Sequence, residues 1–200
     1  MTDQPFDLIV LGAGPAGLHA ARLAAQGGRA VALVEQGRVG GASVMRGCLP
    51  MNLLLAGAGF ATDLADSLRF GWTIEAADFD WPRLVAAKNA ELARLEMLTR
   101  QLLGDEGITL VEGRGRLLGG GRVAVGERVL AARHVLLATG CRPRLPEGVP
   151  GVEHAVTSDQ ALDLMQLPDQ ALVVGGGPVG VEFAGLYGRL GVKVHLVLRG

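Results

Sequence analysis

The chain has 200 residues, 49% of them hydrophobic, and a formal net charge of −1 at pH 7. That length allows one or two domains with a sizeable core, and a charge so close to zero excludes strong electrostatic attraction to nucleic acid or anionic membrane. The 31 glycines follow no period, which excludes a collagen-like repeat, and two cysteines, Cys48 and Cys141, are too few for a disulfide framework and fit a reducing, cytoplasmic setting.

The opening MTDQPFDLIV has no basic n-region, so no signal peptide is expected. Residues 7–11 (DLIVL) are a short apolar run rich in branched side chains, which predicts a buried strand of a parallel sheet. GAGPAG follows, then an alanine-rich helix over about 15–26, then a second buried strand at 29–35 (RAVALVE). This is a β-α-β unit in about thirty residues. Residues 51–68 predict a helix. Asp80, Trp81 and Pro82 open a longer one running to about Leu103, with Pro82 in the first turn where a missing N–H costs nothing. Leu84, Leu92, Leu95, Leu98 and Leu102 give that helix an apolar stripe.

Between 108 and 139, ITLVEG, RVAV, RVLAA and HVLLATG are strand candidates. The glycines between the first of them suggest an antiparallel meander returning to the main sheet. The Pro- and Gly-rich CRPRLPEGVPG at 141–151 marks a boundary. The opening pattern then recurs as ALVVGGGPVG at 171–180, a helix over about 178–190 and a strand KVHLVL at 193–198. The apolar stretch at 171–188 is interrupted by Glu182 and rich in glycine, so it is not read as membrane-spanning. Gly12, Gly14 and Gly17 reappear 163 residues later as Gly175, Gly177 and Gly180.

Each G-x-G-x-x-G lies between a strand and a helix. The first glycine makes the tight turn, the second admits a pyrophosphate to the backbone, and the third lets helix and strand pack closely. The helix N-terminus supplies free N–H groups and the positive end of a dipole. Glu35 closes the second strand of the first unit and can accept hydrogen bonds from an adenosine ribose, whereas the second unit carries Leu198 and Arg199 there. An acid repels a 2′-phosphate and an arginine pairs with it, so the first site suits an unphosphorylated ribose and the second leans to NADP. His19, His134, His154 and His195 have no metal-ligand spacing, and no metal is expected. Cys141 lies in a turn and reads as structural.

Two such units flanking GGASVMRGCLP and ATG resemble the flavin-dependent pyridine nucleotide–disulfide oxidoreductases, and within them the glutathione reductase branch. The resemblance runs through RVGG, FGW (70–72), FDW (79–81), ARLE (93–96), HVLLATG, TSDQAL and VEFAG. It implies an α/β, three-layer Rossmann-like fold, with an FAD-binding domain at 1–145 and the start of an NAD(P)H-binding domain at 146–200. It implies FAD held through Gly12, Gly14, Gly17 and Glu35, with Gly40 and Gly41 on the flavin side and Thr139, Gly140, Ser158 and Asp159 near FAD. Gly175, Gly177, Gly180 and Arg199 would hold NADPH, which delivers hydride to the flavin. A small-molecule substrate, no nucleic acid or membrane partner, and a homodimeric full-length parent go with the same likeness.

The chain departs from the family at its redox motif. Cys48 keeps the flavin-proximal position, but Ser43 stands where the exchange cysteine would be, with Ala42 and Met45 beside it. A hydroxyl cannot perform thiol–disulfide exchange. Met51 and Asn52 replace lysines, one of which would pair with Glu182 in the family, leaving a carboxylate that is costly if buried. Pro178 stands where an aromatic gate is common. The chain also stops directly after the second strand of the second unit, so it is expected to be a fragment or a truncated product lacking parts needed for turnover. Three readings stay open: an oxidoreductase passing hydride from NADPH to FAD with its dithiol relay lost, a non-catalytic nucleotide-binding remnant, and a single-cysteine peroxidase or oxidase. For Cys48 itself the alternatives are a thiol cycling through sulfenic acid and an inert buried thiol.

Overall fold

A computed structural model describes residues 6–198. In chain order the elements are β1 (Phe6–Leu11), α1 (Pro15–Gln26), β2 (Val31–Glu35), α2 (Gly41–Met45), α3 (Cys48–Ser67), α4 (Trp81–Asp105), β3 (Thr109–Glu112) and β4 (Gly115–Gly119). They continue with β5 (Arg122–Val125), β6 (Arg128–Leu137), α5 (Ser158–Ala161), β7 (Gln170–Val174), α6 (Pro178–Arg189) and β8 (Lys193–Val197). The chain divides into two compact units, Met1–Gly47 with Glu91–Arg142 and Cys48–Ala90 with Pro143–Gly200.

The first unit is built on a six-stranded sheet in the order β3-β2-β1-β6-β5-β4. β1 pairs in parallel with β2 (Leu8↔Val31 to Leu11↔Val34) and with β6, and β2 pairs in parallel with β3. The branched residues of β1 and β2 are buried on both faces because the sheet is covered on both. Ile9, Ala32 and Val34 pack with Val111, Val123, Val125 and Leu130, while Val10, Val31 and Leu33 pack with Ala13, Ala21, Leu103 and Ile108. Fully burying one such side chain contributes about 1.5–3 kcal/mol.

The region 108–139 differs from expectation in two respects. ITLVEG yields β3, which joins the parallel edge beside β2 rather than the meander. The meander's first strand is instead β4, within GRLLG, whose flanking glycines hid it from a β-propensity reading. RVLAA and HVLLATG merge into the single strand β6. Its first half pairs antiparallel with β5, and from Ala132 onward it pairs in parallel with β1.

The second unit packs α3 (Met51, Leu54, Ala58), Trp81, α6 (Phe183, Leu186, Tyr187), Ala161, Leu162 and Val192 into one core, beside a two-stranded parallel sheet of β7 and β8. Polar atoms inside it are paired. The Trp81 Nε1–H donates to Leu164 O at 2.8 Å and the Tyr187 hydroxyl to Ala161 O at 3.3 Å. Burial pushes the Tyr187 phenol up to about 12, keeping it a neutral donor. Lys88, 2% exposed, donates its Nζ to Leu162 O at 2.7 Å and to Asp163 Oδ1 at 2.5 Å.

Two helix readings need correction. α3 starts at Cys48, not 51, because Pro50 in the first turn needs no N–H partner. In α4 the buried line is Trp81, Lys88, Leu92 and Leu103, whereas Leu98 and Leu102 are exposed. Steps of seven, four and eleven are whole helical turns, so the stripe is real but passes beside two of the expected leucines. The run Gly41–Phe70 is long and apolar enough to cross a membrane by length and composition. Part of it, Met51, Leu54 and Ala58, lies in the second unit's core.

Candidate functional site

The first glycine turn joins the C-terminal end of β1 to α1. Gly12 has φ 106°, which glycine alone adopts without strain, and its N–H donates to Val34 O at 2.8 Å. A Cβ there would lie 2.3 Å from Ala138 O, and a Cβ on Gly17 would lie 1.8 Å from Gly12 O. Both glycines are therefore required by backbone-to-backbone approach. Gly14 is the N-cap of α1, with Pro15 following, no side-chain cap and no acidic residue in the first turn. The first-turn N–H groups are thus left for an outside acceptor.

Gly40 and Gly41 close over this turn. The Gly40 N–H donates to Ala13 O at 2.8 Å, and a Cβ on Gly41 would meet Gly14 Cα at 2.3 Å. The loop carrying them is pinned by Glu96 of α4, which accepts from Arg38 Nε at 2.7 Å and from the Val39 N–H at 3.1 Å and also pairs with Arg100. Burial alone would raise the Glu96 pKa, but these donors outweigh it and hold the carboxyl below its usual range.

Glu35, at the end of β2, accepts from the Ala13 N–H at 2.7 Å and from the Gly37 N–H at 2.8 Å. Sequence reasoning assigned it only to a ribose; it also staples the glycine turn. Carboxylate oxygens offer about four acceptor sites, so capacity remains for ribose hydroxyls. A cavity of about 270 Å³ opens here, lined by Leu11, Gly12, Val34, Glu35, Gln36, Gly113, Arg114, Gly115 and Thr139. It lies beyond the carboxyl ends of parallel strands, where α/β sheets bind ligands. Gly113, Arg114 and Gly115 escaped the sequence reading; their signal is a glycine on either side of an arginine directly after a strand. Thr139 lines the cavity, and Gly140 follows it, exposed, at φ 67°.

The second glycine turn repeats the first within the other unit. Gly175 has φ 116° and donates to Val197 O at 2.9 Å, and a Cβ on Gly180 would lie 2.1 Å from Gly175 O. Gly177 caps α6, again with Pro178 next and no acid in the first turn. Leu198 holds the place of Glu35, so the carboxylate staple of the first turn has no counterpart. Arg199 lies outside the described residues.

Ser43 is exposed on α2 at the end of one segment of the first unit, and Cys48 is a free, exposed thiol opening α3 in the second. The burial considered for Cys48 is therefore not what the fold presents. Glu182 is exposed on α6, so the burial cost foreseen for it does not arise. Ser158 and Asp159 open α5, which Thr157 and Gln160 cap reciprocally. Among the described residues no three His, Cys, Asp or Glu side chains gather as a metal site.

A family profile described as "Pyridine nucleotide-disulphide oxidoreductase" matches residues 6–200. Over 200 residues, all of this chain, it is 40% identical to a glutathione reductase of Burkholderia cepacia. It is 38% identical over 97% of its length to a chloroplastic/mitochondrial glutathione reductase of Pisum sativum, and 34% identical over 97% to a dihydrolipoyl dehydrogenase of Chlamydia pneumoniae. It spans 44%, 37% and 43% of those relatives, less than half of each.

Proposed function

The chain belongs to the pyridine nucleotide-disulphide oxidoreductases, and from that membership we propose that it is the nucleotide-binding part of an FAD-dependent NAD(P)H oxidoreductase. The single observation that carries this reading is the pair of glycine turns with matching backbone geometry, each opening a helix with no acid in its first turn. The residues fit the group. Gly12, Gly14 and Gly17 leave room and N–H donors for the FAD pyrophosphate, Glu35 offers acceptors for the ribose, and Gly40 and Gly41 keep the adjoining wall free of side chains. Thr139 and Gly140 extend the flavin side by resemblance, giving an FAD domain to about residue 145 and a nicotinamide domain beginning after it. Bound flavin supplies hydride acceptance and electron storage.

Gly175, Gly177 and Gly180 would bind the reduced nicotinamide cofactor. With Leu198 in place of an acid and Arg199 beside it, NADPH is preferred over NADH. The two-sulfur relay does not run through positions 43 and 48, because Ser43 supplies no second sulfur. A homodimeric parent acting on small molecules in the cytoplasm accompanies this reading. The exposed, unpaired Cys48 favours one second reading, a peroxidase step in which the thiolate is oxidised by peroxide to sulfenic acid.

The test uses the longest native form of the protein containing this chain. Anaerobic NADPH should bleach its flavin absorption, faster than equal NADH, while no dithiol forms between positions 43 and 48. A flavin left oxidised by both nucleotides rejects the oxidoreductase reading and leaves a nucleotide-binding remnant. Peroxide consumption unchanged in Cys48→Ala rejects the peroxidase step.

A further inference from the structure

The meander of the first unit carries a charge the proposed function does not use. Residues 113–134 hold five arginines and one glutamate, in a chain whose net charge is −1. Strand register sorts them by face. Arg116 lies opposite Ala124, which lies opposite Val129, and Arg122 lies opposite Ala131. The alternate residues Val123, Val125 and Leu130 point into the core, so Arg116 and Arg122 stand on the outer face. Arg114 and Arg116, with Gly115, Ala124 and Gly126, line a cleft of about 490 Å³ on that face. Neither guanidinium has a hydrogen bond or ion pair among the described residues, although other arginines of the same unit, such as Arg22, Arg38 and Arg100, are paired with glutamates.

We propose that this cleft, which adjoins the cavity beside Glu35 through Arg114 and Gly115, is a binding site for a phosphate-bearing anion. Two guanidiniums facing one cleft without a counter-charge repel each other, and an anion between them offsets that repulsion. The planar fork of arginine matches phosphate oxygens two at a time. Gly126 puts no side chain into the space, where a Cβ would meet nothing within 4 Å, and Ala124 forms a small apolar floor. The volume exceeds that of one phosphate and suits a phosphate carried on a small molecule.

Calorimetric titration with sodium pyrophosphate of the chain, saturated with FAD so that the first glycine turn is filled, tests the site. If the chain takes up no FAD, the same titration is run without it. Binding should weaken at least tenfold in Arg116→Gln and as salt rises from 50 to 200 mM, and remain unchanged in Arg69→Gln, an exposed arginine of the other unit. Ribose 5-phosphate and inorganic phosphate form the comparison. Tighter binding of the sugar phosphate assigns the site to a phosphorylated metabolite, and equal binding assigns it to the free anion. No heat with pyrophosphate, or equal affinity in wild type and a folded Arg116→Gln, overturns the proposal.

Discussion

Gly12→Ala should abolish FAD binding and lower the stability of the first unit by about 2–5 kcal/mol. Two costs add. A side chain at φ 106° is strained, by about 1–2 kcal/mol on the scale of left-handed backbone. The new methyl also falls 2.3 Å from Ala138 O and 2.8 Å from Ala138 C. Those are backbone atoms directly after β6, the strand paired with β1, so relief means moving the end of β6 away and lengthening the 2.8 Å bond from Ala138 N to Leu11 O. Overpacking of this kind costs about 1–3 kcal/mol, a large share of a total stability of about 5–15 kcal/mol. Hydrogen exchange of the β1 and β2 amides is the suitable readout, because two units need not unfold in one transition. A variant with native protection and native FAD affinity would show that the turn is not held as described.

The second large effect is an asymmetry at Lys88. Its side chain is 1% exposed, whereas that of its partner Asp163 is 59% exposed. In Asp163→Ala the ammonium keeps only the Leu162 carbonyl and stays buried without a counter-charge, a change that costs about 3–5 kcal/mol when one partner of a buried pair is removed. In Lys88→Met the exposed carboxylate returns to water, and the main loss is the carbonyl's partner, about 1–3 kcal/mol. Removing the exposed member should therefore destabilise the second unit more than removing the buried one, and adding Lys88→Met to Asp163→Ala should recover part of the loss. Denaturant midpoints of the three variants decide it. An Asp163→Ala midpoint equal to wild type would mean the pair carries no stability. The pair ties α4 to the residues directly after α5, so it fixes the helix that begins with Ser158 and Asp159.

The parallel strands, the two glycine turns and the helices that follow them were legible because each is set by local chemistry: branched apolar runs for the strands, glycine where the backbone closes on itself. What escaped depends on partners distant in sequence. Glu35 reads as a ribose acceptor, and only the fold brings the Ala13 N–H to it. Glu96 lies in the ARLE segment that carries the resemblance, and only the fold brings the Arg38–Val39 loop to it. Lys88 sits two turns beyond Trp81 and one before Leu92 on the buried line, a place where a lysine's charge is seldom found. The meander strand β4 was obscured by its own glycines, and the arginine face became visible only once register separated outer from inner residues.

The visible absorption spectrum of the purified chain, before and after addition of FAD and removal of the excess, tests flavin binding at the first glycine turn most directly. A protein-bound flavin band at one FAD per chain should appear and be lost in Gly12→Ala. A folded, colourless chain that retains no added FAD would contradict it.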